Sequence, residues 1–287
     1  MAQLPSEQGA TNERGARLRS RLGSTGRVLH RLVVAVLVLL VAIGFASRLG
    51  GSPESLIGNL VVDDAFYYAV PARHLVEGGS FSFDGERPSN GVQPLWAGVV
   101  IALAAVVRDD VLLVRLMAGV SALCWFAAAV VLYRALRGWG RWMALLAVVG
   151  WALAAFSGRV AFQGMENGLH ALLMALIIWF GVTRLRNPAF FAARQRWFYL
   201  ALGLLLALFT LCRIDSGLLA LLVGAGVLLG LIHASGRVRW HLNLPGALWL
   251  ALPGIILVGG YALFSLLYFG IATPIRMIPG KASQSAP

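Results

Sequence analysis

Leu95-Trp-Ala-Gly-Val-Val-Ile-Ala-Leu-Ala-Ala-Val-Val107, closed by Arg108-Asp109-Asp110, decides how this chain is threaded. The run is apolar throughout but short, and a helix that crosses a bilayer needs about 20 apolar residues, with about 17 the usual minimum. Seven other apolar runs flank it: 32–49, 111–133, 142–157, 167–185, 197–212, 216–233 and 247–269. Each of those approaches or exceeds span length. If the short run crossed as well, every later loop would change sides.

Charge settles the choice. Of the 24 Lys and Arg, 15 fall on one side when 95–107 does not cross: the tail, then Arg134, Arg137 and Arg141, then Arg184, Arg186, Arg194 and Arg196, then Arg237 and Arg239. Ten of the twelve acids then fall on the other side. Cytoplasmic loops carry the excess of Arg and Lys, so the arginine side is inside. Crossing at 95–107 would put nine of those arginines outside. The run is therefore expected to be a juxtamembrane or re-entrant helix near the outer surface. The fold expected is an all-α integral membrane protein with seven transmembrane helices, N-terminus in and C-terminus out.

Composition agrees. Of 287 residues, 59% are hydrophobic and 13% charged, with a mean hydropathy of +0.78. A soluble globular chain is about a quarter charged, so a cytosolic enzyme and a disordered tail protein are excluded. The net charge of +12 comes from 23 Arg and one Lys set between apolar runs. That is a membrane distribution, and nucleic acid is excluded as a partner. Residues 1–31 form a basic cytoplasmic tail ahead of a transmembrane domain over 32–287. The first apolar run exceeds the roughly 7–15 residues of a signal-peptide core, and no convincing small-residue cleavage site follows, so it reads as a retained span. Cys124 and Cys212 lie inside apolar runs and read as buried thiols, with neither disulfide nor zinc spacing.

Residues 50–94 form the one long loop, and long loops in compact folds tend to be functional. Asp63-Asp64 is expected to cap a short amphipathic helix that Gly78-Gly79 ends. Ser80-Phe-Ser-Phe83 alternates, Asp84-Gly85 and Asn90-Gly91 are turn signals, and Pro94 suits the first position of the next helix. Adjacent carboxylates at the mouth of a membrane domain are costly unless solvated, paired or used. Asp63 and Asp64 are therefore candidates for acid–base work, although a helix cap with a solvated neighbour accounts for the same pair. Tyr67 and His74 follow Asp63 at helical spacing and share its face. Arg159, Glu166, Arg213, Asp215, Arg276 and Lys281 gather at outer helix ends. Each also has an ordinary reading as an interfacial charge. Their convergence on the side of the acid pair suits a phosphate-bearing substrate near the lipid headgroups.

Val62-Asp-Asp-Ala-Phe-Tyr-Tyr68 followed by Asn90-Gly-Val-Gln-Pro-Leu-Trp96 resembles the first outer loop of GT-C superfamily glycosyltransferases, polytopic enzymes that use polyprenyl-phosphate sugars. Gly164-Met-Glu-Asn-Gly-Leu-His170, Arg213-Ile-Asp215 and the segment from Thr273-Pro-Ile to Lys281 fit in order. The likeness covers roughly residues 30–281 and is strongest to bacterial arabinofuranosyl- and mannosyltransferases of envelope assembly. It implies a polyprenyl-phosphate sugar donor and an envelope glycan, lipid or protein as acceptor. It also implies a bacterial plasma membrane location with the active face extracytoplasmic.

By this resemblance Asp63 is the catalytic base, and Asp64 orients the acceptor or assists a divalent cation in members that use one. No other cofactor is implied. Asn90 and Gln93 join the substrate-binding residues with Tyr67, His74, Arg159, Glu166 and Asp215, while Arg213, Arg276 and Lys281 hold the lipid phosphate. Relatives of this kind usually continue with more helices, so a C-terminal part is expected to be lacking here. A lipid or solute transporter and a non-catalytic membrane partner subunit are the alternatives.

Overall fold

The computed structural model describes residues 28–29, 32–157, 160–187, 195–234 and 240–270. Their regular structure is helical, apart from one isolated antiparallel bridge between Ser82 and Pro88. Among the described residues, five helices are long and apolar enough to cross a membrane: Leu32–Leu49, Asp110–Leu136, Asn167–Arg184, Gln195–Cys212 and Gly246–Phe269. The chain is an all-α, multi-pass membrane protein. The apolar runs at 142–157 and 216–233, also expected to span, form helices Arg141–Ser157 and Gly217–Ala234 of 17 and 18 residues.

The chain divides after Ser47 into two units. The first contains most of α1 (Leu32–Leu49). The second begins with α2 (Pro53–Asn59), whose Ser52 cap accepts a hydrogen bond from the Ser55 N–H. A 3-10 turn over Asp63–Ala65 runs into α3 (Phe66–Val76), and α4 (Pro94–Val106) and α5 (Asp110–Leu136) follow. Pro94 does open α4, and the Asp109 side chain caps α5. Then come α6 (Arg141–Ser157), α7 (Asn167–Arg186), α8 (Gln195–Cys212), α9 (Gly217–Ala234), α10 (Trp240–Gly254) and α11 (Gly260–Phe269). A π-helical turn, Ile255–Gly259, joins the last two into one continuous helix.

Close packing in an apolar solvent depends on small residues that let backbones approach. α5 lies along α7. A Cβ on Gly168 would sit 1.8 Å from the Ser121 carbonyl oxygen, and Ala128, Ala171 and Ala175 continue the seam. Trp125 and Trp151 stack with centroids 4.6 Å apart, and each indole donates to the other's carbonyl, pinning α6 to α5. On the other side α10 meets α8 where Gly203 faces the Leu250 carbonyl and Gly246 faces the Tyr199 ring.

The short helix α4 has 13 residues, or about 20 Å at 1.5 Å per residue. A hydrocarbon core is about 30 Å thick. Both ends of α4 are fastened to α3. At its start the Gln93 N–H donates to the Tyr68 hydroxyl oxygen at 3.2 Å. At its end Arg73 Nη1 donates to the carbonyls of Ala104 and Val107, while Nε pairs with Asp110 at 2.9 Å. Those carbonyls have no acceptor role inside α4, and a cation at a helix C-terminus also meets the negative end of its dipole. An 11-residue helix thus reaches both ends of α4.

Candidate functional site

The acid pair lies in the turn that opens α3. Val62 caps the 3-10 turn without a side-chain bond, Ala65 takes the cap position of α3, and Asp63 and Asp64 lie between them. This corrects the expectation that an Asp caps the helix. The Val62 N–H reaches the Gln163 carbonyl at 3.4 Å, a tertiary bond that fixes where the turn begins. Both carboxylates are exposed and lie at the positive end of the helix dipole. Ala65, Tyr68, Ala69 and Ala72 form the buried stripe at helical spacing. Pro71 is accommodated inside α3, and the chain leaves at Gly78 with φ +92°.

Tyr68 anchors a closed ring of polar contacts under this turn. Its hydroxyl donates to Glu166 Oε2 at 3.1 Å and accepts from the Gln93 N–H. Gln93 Oε1 accepts from the Ile214 N–H at 3.0 Å. The neighbouring Arg213 places Nη1 3.8 Å from Glu166 Oε1 and Nε 3.4 Å from Asp215 Oδ1. Three separate loops are thus locked together. Glu166 is almost wholly buried, and burial pushes its carboxyl above the ordinary glutamate range, against the opposing pull of its own backbone N–H, Tyr68 and Arg213. Burial also raises the Tyr68 hydroxyl, and the Glu166 charge adds to this. Tyr68 is therefore a firm donor to Glu166. The Arg213 side chain is 37% exposed, so a guanidinium gripped from below still faces outward. It can take an anionic oxygen.

A second feature lies beside the ring. Asn90 is buried, its amide nitrogen donating to Ser265 Oγ at 3.0 Å and its oxygen accepting from Tyr261 at 3.4 Å. It closes one end of an apolar groove of about 420 Å3 lined by Leu75, Phe81, Ile101, Phe264 and Tyr268. A second cleft of about 400 Å3 shares Pro94, Gly98 and Tyr261 with it. The π turn ends two residues before Tyr261, and such turns are frequent at functional sites.

The sequence-predicted residues divide accordingly. Gln93, Glu166, Arg213 and Asp215 are joined in the ring, and Asn90 heads the groove. Asp63, Asp64 and Tyr67 are exposed at the turn above. His74 turns its Nδ1 to the Ser82 carbonyl at 2.7 Å and so braces the loop after α3. Arg159, Arg276 and Lys281 lie outside the described residues. Sequence reasoning passed over Tyr68 and also His170, whose Nε2 lies 2.8 Å from Ser216 Oγ and whose ring stacks on Phe209. The signal for Tyr68 was the Ala65-Tyr68-Ala69-Ala72 stripe, and for His170 its position one helical turn after Glu166. Cys212 is buried with its thiol 3.8 Å from the Glu166 carbonyl, and Cys124 is half-buried.

No known protein family, curated protein or solved structure matches this chain. Among the described residues no three His, Cys, Asp or Glu side chains are grouped so as to hold a metal ion. Asp63 and Asp64 alone make too few ligands for one. Chemically, the site offers exposed carboxylates that can accept a proton, an outward cation that can hold an anion, and an apolar groove alongside.

Proposed function

We propose that this chain is a glycosyltransferase that moves a sugar from a polyprenyl-phosphate donor to an acceptor at the outer face of a bacterial plasma membrane. The observation that carries this reading is the polar ring. It gathers Gln93, Glu166 and Arg213 from distant loops around Tyr68, on the helix that opens with Asp63 and Asp64. The groove headed by Asn90 offers an apolar surface to a lipid chain. The arginine distribution supports the orientation, with the acids outside.

In this mechanism the acceptor hydroxyl oxygen attacks the anomeric carbon opposite the phosphate. Asp63 takes the hydroxyl proton as the new C–O bond forms. The old bond between the anomeric carbon and the phosphate oxygen breaks, and its electron pair leaves with the polyprenyl phosphate. The anomeric configuration inverts. Arg213, with Arg276 and Lys281, meets the growing charge on the phosphate. Asp64 orients the acceptor. Glu166 and Asp215 hold Arg213 in place.

The test is sugar release from labelled polyprenyl-phosphate sugars in proteoliposomes, wild type beside Asp63→Asn. Loss of a general base lowers turnover by about 100-fold or more, and donor binding stays near wild type. Near-wild-type turnover in the variant removes Asp63 from the role of base. A wild-type chain that binds no donor refutes the transferase, and labelled lipid crossing the bilayer with its sugar intact makes the chain a transporter.

A further inference from the structure

Tyr67 and Phe83 form a pair of exposed rings that the polar ring leaves unused. Their centroids are 5.1 Å apart at an interplanar angle of 34°, and they are 53% and 45% exposed. Tyr67 comes from the first turn of α3, Phe83 from the loop that follows the helix. That loop is tightly fastened. Asp84 Oδ1 accepts from Ser82 Oγ, from the Glu86 N–H and from the Arg87 N–H, all within 2.9 Å. The Phe83 N–H donates to Ser89 Oγ at 3.0 Å, the Ser89 N–H to the Phe81 carbonyl at 2.8 Å, and the Ser82 carbonyl meets His74. Gly85 completes the turn with φ +82°. The backbone leaves Phe83 little freedom to fold its ring inward. Two large rings held apart from the core, in a fixed mutual geometry, form a preorganised binding surface.

The groups around the rings name the ligand. Asp63 precedes Tyr67 by one helical turn with Asp64 next to Asp63, and Asp84 and Glu86 follow Phe83 closely in the chain, ahead of Arg87. The backbone N–H groups of Arg87 and Glu86, with the Ser82 hydroxyl, hold the Asp84 carboxyl down to about 2, so it stays ionised. An ionised Asp84 opposes burial of this patch in hydrocarbon and repels anionic headgroups. Two tilted rings whose outer faces and edges are exposed, with acceptors close by in the chain, suit a sugar ring. Its C–H face stacks on the aromatic faces, and its hydroxyls donate to the carboxylates.

We propose that Tyr67 and Phe83 form the platform on which a saccharide ring of the acceptor glycan is bound, beside the Asp63–Asp64 turn. Naming that glycan as the acceptor rests on the transferase reading. Binding itself is read without donor, so the two stand or fall separately. Maltotetraose, mannotetraose and arabinotetraose are titrated against the full chain in phosphatidylcholine nanodiscs by saturation-transfer NMR. The wild type binds at least one of them, Phe83→Ala weakens that binding about tenfold, and Phe83→Trp restores it. Absence of wild-type binding to all three overturns the platform, as does equal affinity in Phe83→Ala. A fluorophore on Phe83→Cys strongly quenched by brominated acyl chains would place the ring in lipid, with the same consequence. Glycan binding that follows Phe83 in a chain without donor turnover would retain the platform and remove the transferase.

Discussion

At the scale of single residues, Glu166 carries the most informative charge. It is nearly buried, touches Tyr68 and Arg213, and has its carboxyl raised by desolvation. The folded chain therefore binds this proton more tightly than the unfolded chain does. Its contribution to stability is complete below the ordinary value of 4.5 and falls as pH climbs through the raised value. Glu166→Gln keeps an oxygen for the Tyr68 hydroxyl and removes the titration. Thermal unfolding of both proteins in the same detergent, from pH 5 to pH 8, is expected to show the wild type losing ground to the variant as pH rises. A difference that is flat, or that grows in the other direction, would show that Arg213 rather than burial governs this carboxyl. The partners of Glu166 were not legible from the sequence. Glu166 could be placed at a helix end, but Tyr68 lies 98 residues away, and no local pattern encodes such a pairing.

At the scale of elements, the hydrophobic runs were legible and their junctions less so. The length of α4, its opening Pro94 and the Gly78 exit from α3 follow from local chemistry, which the sequence displays. The start of α3 does not. Val62 caps the 3-10 turn that leads into α3, its N–H held by the Gln163 carbonyl, and no motif near Asp63 announces that bond. The π turn at Ile255–Gly259 is equally silent, since a wide turn leaves an apolar run apolar. Helix crossings depend on glycines whose neighbours only the fold reveals. A Cβ on Gly168 would fall 1.8 Å from the Ser121 carbonyl, so Gly168→Ala must push α7 off α5. It also disturbs the bond from the Gly168 N–H to Ser121 Oγ. The expected loss is about 1–3 kcal/mol or more, the usual range for overpacking. Gly181, on the same helix, has no atom near its Cβ position. Gly181→Ala is expected to be neutral or to gain up to about 1 kcal/mol from helix propensity. Thermal denaturation of the two variants side by side separates crossing from propensity, and equal behaviour would mean the α5–α7 seam yields freely.

At the scale of the whole molecule, the threading depends on α4. If it crosses, the loop before it and the turn after α5 lie on the same side of the membrane, because α5 returns the chain. If it does not, they lie on opposite sides. Two observations of different kinds favour the second arrangement. One is the charge pattern, in which a crossing at 95–107 would carry nine arginines outward. The other is the fastening of both ends of α4 to α3, by Gln93 at the start and Arg73 at the end. A helix of about 20 Å held in this way has neither the length nor the freedom to bridge about 30 Å of hydrocarbon. Glu86 and Trp139 report on the two sides, since both are exposed and lie on loops outside the packed helices. In a chain with Cys124 and Cys212 replaced by alanine, Glu86→Cys is expected to react with an impermeant maleimide on intact, right-side-out vesicles. Trp139→Cys is expected to react only after the vesicles are opened. Labelling of both from outside would make α4 a span, reverse the side of every loop beyond it, and separate Asp63 from the Glu166–Arg213 loops across the membrane. The hydrogen bonds that join those loops to α3 could not then form, so the same result would also dismantle the candidate site.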